Sequence, residues 1–175
     1  MKRILSLFFM CGIVGWCLWC CGRIHSYSES PEIHFKSLVF EDGTSTLRYA
    51  VLTFSFIDGD GDIGVSSQDI DTISRIHYTW EKKMPDRTYV PHQFNNGITT
   101  QSAKIPYAEV MNKNEANNKT LKGTIEITIE APINIQGIDT MRIEFFIVDR
   151  AKNNSNVDYT PDFDIQNPPA EPITK

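Results

Sequence analysis

The stretch "GTIEITIEA", Gly123–Ala131, sets isoleucine at 125, 127 and 129 and places Thr124, Glu126, Thr128 and Glu130 between them. A period of two puts every isoleucine on one side of an extended chain and every polar group on the other, so one face packs on a core and the other meets water. Neighbouring segments share this grammar. "TMRIEFFIVD" (Thr140–Asp149), "LRYAVLTFSFI" (Leu47–Ile57) and "ISRIHYTWEKK" (Ile73–Lys83) all alternate. In the last of these Ile76, Tyr78 and Trp80 share a face opposite Arg75, His77, Thr79 and Glu81. "IHFKSLVF" (Ile33–Phe40) precedes the turn pair Asp42-Gly43, and "NVDYTPDFDI" (Asn156–Ile165) closes the series. "TYVPHQF" (Thr88–Phe94) reads as a short edge strand, because Pro91 has no N–H to give a central ladder. "PYAEVM" (Pro106–Met111) reads as one or two helical turns, and "NKNEANNK" after it as an exposed loop.

Seven strands in about 130 residues predict an all-β fold, an antiparallel immunoglobulin-like β-sandwich with Trp80 on its third strand. No disulfide framework supports it, since Cys11, Cys17, Cys20 and Cys21 all lie at the N-terminus. That end reads "MKRILSLFFMCGIVGWCLWCC": two basic residues, an apolar run, then the polar "GRIHSYSES". This is signal-peptide grammar, with a membrane-spanning anchor as the competing reading. Leu18-Trp19-Cys20-Cys21 resembles a bacterial lipobox, from which Trp19 departs, and it makes Cys21 the candidate lipidated residue. Acyl chains on Cys21 would bind the protein to a membrane without a spanning helix. The expected organisation is a signal peptide over 1–20, a tether over 21–32, the sandwich over 33–165 and a disordered proline-rich tail over 166–175. Of 17 basic side chains, removal of Lys2 and Arg3 leaves 15 against 22 acidic ones, a net charge of −7. Nucleic acid is excluded as a partner on that balance.

"FSFIDGDGDIG", Phe54–Gly64, places Asp58, Asp60 and Asp62 at alternate positions behind an apolar run. Three carboxylates within roughly 7 Å repel one another, and a divalent cation removes that penalty. Hard oxygen ligands select Ca²⁺, and the interleaved glycines let the backbone bend round it. Asp58, Asp60, Asp62 and Asp69 fall at positions one, three, five and twelve of a calcium-loop pattern, but Ile63 stands where an EF-hand needs glycine and the entering element is a strand. An EF-hand is excluded. The loops after the second and sixth strands of a sandwich leave at the same end, so Asp149, with Asn153 and Asn154, is expected to add oxygens to the same site. The alternative is a solvated hairpin turn, since Asp-Gly pairs are turn formers.

The aspartate-glycine run, the lipobox-like leader and the late "IVDRAKNNSNVDYTP" together resemble a group of uncharacterised cell-envelope lipoproteins of the Bacteroidota with immunoglobulin-like or fibronectin-like sandwiches. The resemblance implies an outer-membrane lipoprotein, attached on the periplasmic or cell-surface side, and implies nothing about activity. Asp71-Thr72-Ile73 and Asp139-Thr140-Met141 also resemble the O-glycosylation acceptor pattern of that phylum, which makes Thr72 and Thr140 candidate modified residues. No enzyme is expected. His25, His34, His77 and His92 fall in no metal or nucleophile motif, and the body holds no cysteine, serine elbow or phosphate loop. A binding or adhesion module leads, with an envelope protein or a glycan as partner. Carbohydrate-binding accessory and structural envelope subunit are the alternatives, the first resting on Tyr89, Phe94 and Tyr107 as stacking residues.

Overall fold

A computed structural model describes residues 27–44, 47–64, 75–94, 97–105, 120–133, 137 and 139–175. Cys21, Asp69, Thr72, Tyr107 and the helical turns expected over 106–111 lie outside the described residues. Within them the fold is all-β: ten strands, every pairing antiparallel, in two sheets packed face to face as a β-sandwich. No helix among the described residues is long and apolar enough to cross a membrane.

The first sheet has the order β10-β1-β2-β6, built from β1 (Glu32–Thr44), β2 (Leu47–Asp58), β6 (Leu121–Ala131) and β10 (Ile173–Thr174). Period two works as expected in β6, where Ile125, Ile127 and Ile129 are buried while Glu126, Thr128 and Glu130 are exposed. In β1 the inward face begins on Ile33 and Phe35 and continues on Leu38, because a bulge between Phe35 and Ser37 inserts one residue and flips the parity.

The second sheet centres on β3 (Arg75–Lys83) and β7 (Thr140–Val148). The outer edge of β3 is shared by β4 (Tyr89–Pro91) and β5 (Thr100–Lys104), and that of β7 by β8 (Asp158–Tyr159) and β9 (Phe163–Asp164). The strand expected over 156–165 is therefore two short pairings with Pro161 between them, since proline cannot donate to the ladder. Trp80 is fully buried beside Ile76 and Tyr78, as the alternation requires, and meets Phe163 edge-on at 6.0 Å between ring centres. Phe54 of β2 and Phe145 of β7 touch across the sandwich at 5.3 Å.

The tail corrects an expectation. Instead of a disordered end, Ile173 and Thr174 pair with Leu38 and Ser37 of β1, and Lys175 donates to Asp158 at 2.6 Å. Ile173 packs on the core. Further along the same edge, side chains replace a strand. Asn156 accepts from the Ile33 N–H and donates to the Ile33 carbonyl, and Asp158 accepts from the Phe35 N–H at 2.6 Å.

Candidate metal centre

Two strand registers build the site. On β2 the inward face runs Ala50, Leu52, Phe54, Phe56, and the next inward position is Asp58. On β7 it runs Met141, Ile143, Phe145, Ile147, and the next is Asp149. Each sheet thus ends an apolar row with an acid aimed between the layers, Asp58 0% and Asp149 2% exposed. Both strands run toward the same end, so the two carboxylates face each other there, as the sandwich topology anticipates.

The loop after β2 brings in two more. Gly61 takes a φ of 71°, a conformation open to glycine at little steric cost, and the chain doubles back so that Asp60 and Asp62 return toward Asp58. One carboxylate oxygen from each of Asp58, Asp60, Asp62 and Asp149 lies within 4.8 Å of the other three.

Backbone donors fix this geometry from outside. Asp58 Oδ2 accepts from the N–H groups of Asp62 at 2.8 Å and Ile63 at 3.2 Å. Asp62 Oδ2 accepts from the Ala151 N–H at 2.8 Å, and the Asp62 carbonyl accepts from Arg150 Nε at 2.8 Å. Those two bonds tie the β2 loop to the β7 loop. Asp149 is held by Asn153, whose N–H donates to Oδ1 at 2.7 Å and whose amide Nδ2 donates to Oδ2 at 2.8 Å. Asn153 therefore positions an acid, where the sequence suggested an oxygen ligand, and the exposed Asn154 bridges to Val148.

Asp58 Oδ1 and Asp60 Oδ1 lack such support: both are buried and receive no N–H. Burial, then the Asp60 charge and a hydrogen bond to Asp60, then the Asp62 charge, push the Asp58 carboxyl up to about 7, against the lowering effect of the Asp62 N–H. Asp62 is also raised, by burial and then by Asp149 and Asp60, with the Ala151 N–H and Arg150 working the other way. Such a cluster needs either a proton shared between Asp58 and Asp60 or a cation among the oxygens. The donors are all hard oxygens, with no histidine or thiolate among them, and that set suits a divalent ion of the calcium or magnesium kind over zinc or copper.

The other candidates separate from this centre. Tyr89 gives its hydroxyl to Asp162 at 2.8 Å and has the Arg142 guanidinium 3.5 Å from its ring centre, so one face is already covered. Phe94 packs against the core edge with His92 edge-on to it at 4.9 Å. Both do packing work where free stacking platforms were expected. Thr140 is half-buried at the start of β7, opposite Asp164. Arg150 and Ala151 were not foreseen. Backbone donors carry no residue signal, although the glycine between Asp58 and Asp60 was a clue to close approach.

No protein-family model, curated protein or solved structure matches the chain.

Proposed function

We propose that the protein is a non-catalytic cell-envelope lipoprotein, anchored through Cys21 to the outer membrane, whose sandwich is a binding or adhesion module stabilised by calcium at one end. The observation that carries the calcium reading is the pair of buried, unsupported oxygens on Asp58 and Asp60, facing Asp149 from the opposite sheet. Oxygens on opposite sides of a calcium ion stand about 4.6–5.2 Å apart, twice the usual Ca–O distance, which suits the spacing of this cluster. Asp58, Asp60, Asp62 and Asp149 would hold the ion, and a bound ion would neutralise repulsion and pin the β2 and β7 loops together. Its role is structural: it fixes the end of the sandwich at which a partner would be met.

The test is thermal unfolding with calcium and with chelator. At 100 times the dissociation constant the ion adds about 2.7 kcal/mol, which for this size of domain raises the melting temperature by roughly 5–10 °C. Asp60→Asn should abolish the shift; an unchanged melting temperature in the parent protein would end the calcium reading. The anchor has its own test. Incorporation of labelled fatty acid should disappear in Cys21→Ser, and label retained by that variant would remove the lipoprotein assignment.

A further inference from the structure

Gly59 stands between Asp58 and Asp60, and its N–H donates to the Ser28 carbonyl at 2.9 Å. The two backbones touch there. A Cβ added at Gly59 would lie 2.3 Å from the Ser28 oxygen and 2.6 Å from the Tyr27 oxygen, both far inside contact distance. The same segment is gripped from the other side by Lys122, at the start of β6 and opposite Ile57 of β2, whose ammonium bonds the Tyr27 hydroxyl and lies 3.9 Å from its ring centre. The segment leading into the domain is thus seated on the loop that carries two of the four carboxylates.

We propose that cation loading of the aspartate loop locks this seat, so that occupancy of the site controls whether the N-terminal segment is held on the sandwich. The proposal rests on the cation reading of the cluster. Its logic is local: the seat needs residues 58–60 in one path, and the ligands that a cation would fix are the residues on either side of Gly59. With no cation, the converging Asp58 and Asp60 carboxylates repel, and the path between them loosens. Coupling of this kind is reciprocal, so a seated segment must raise cation affinity by the factor by which the cation favours seating. Five residues separate Cys21 from Tyr27, and the six Cα-to-Cα steps reach roughly 20 Å at full stretch. A membrane anchor at Cys21 would therefore hold the cation end toward the bilayer, and loading would turn a loose leash into a fixed mount.

The experiment uses the full chain in detergent micelles. A glutamate-specific protease cuts after Glu29, inside the seated segment, while cleavage after Glu115, in the polar stretch that the sequence reads as an exposed loop, serves as internal standard; calcium binding is measured in parallel by calorimetry. Cleavage at Glu29 should be about 10-fold slower in calcium than in chelator. Gly59→Ala, which leaves all four carboxylates in place, should cut rapidly in both conditions and bind calcium about 10-fold more weakly. Lys122→Ala, which alters neither the loop nor the acids, should speed cleavage several-fold in calcium and so guards against misfolding of the glycine variant. Calcium binding without any change at Glu29 would overturn the coupling and leave the site standing. No calcium binding would overturn both.

Discussion

Two charged clusters of this domain are built on opposite plans. On the outer face of the second sheet, Arg142 bonds Glu81 at 2.7 Å and lies between the rings of Tyr89 and Tyr159, 3.5 and 4.2 Å from their centres. Beside it Asp162 takes a bond from Lys83 at 2.5 Å and one from Tyr89. At the end of β2 and β7, four carboxylates converge, and the nearby Arg150 gives its Nε–H to a backbone carbonyl. The consequence shows in the acids themselves. Burial raises Asp162, yet the bonds from Lys83 and Tyr89 outweigh it and hold that carboxyl below its usual range, while burial and its acidic neighbours drive Asp58 up to about 7. One cluster carries its counter-charges within the chain; for the other we propose that a cation from solution supplies them.

The largest expected effect follows from the sign of the Asp58 shift. An acid whose folded value lies above its unfolded one binds its proton more tightly when folded, so its stabilising contribution is full below about pH 4 and is lost as pH rises through about 7. In chelator, stability should fall across that window. Asp58→Asn should flatten the fall, since the amide oxygen can still accept from the Asp62 and Ile63 N–H groups without a charge. Urea unfolding at several pH values measures both, and a pH-independent parent would contradict the assigned burial. Next in size is Arg142→Ala, which strands Glu81 on a largely buried site; a loss of about 2 kcal/mol is expected. That loss should be the same in calcium and in chelator, because the cluster is self-contained, and a calcium-dependent loss would blur the contrast. Smallest is Lys83→Ala, where an exposed pair with Asp162 leaves no resolvable change in melting temperature.

Much of this was legible in the residues, and for a definite reason. Where one face is buried and the other wet, strand register is written in the alternation, so β2, β6 and β7 could be read, and with them the inward places of Asp58 and Asp149; β3 alternates in the same way, although Thr79 and Glu81 on its outer face are buried as well. Legibility failed where alternation carries no energy. "TQSAK" of β5 is polar, places just Ala103 against the core, and pairs because the β3 edge is open to it. β10 is two residues whose pairing depends on a single isoleucine and on an edge 135 residues earlier in the chain. The bulge in β1 is invisible in composition, and so is the covering of Tyr89 by Arg142. Within the site, the acids declared themselves, whereas the donors that aim them are main-chain N–H groups that any sequence possesses.

The central claim is the proposal that calcium supplies counter-charge to the four carboxylates around Asp58, and calorimetric titration of calcium at pH 6.5, in buffers of different ionisation enthalpy, tests it most directly. One ion should bind per chain with release of protons, because burial and the acidic neighbours push the Asp58 carboxyl up to about 7 before the ion enters. Asp58→Asn should weaken binding and remove the proton release together. Absence of binding, or binding of equal strength with the same proton release in Asp58→Asn, would contradict the account.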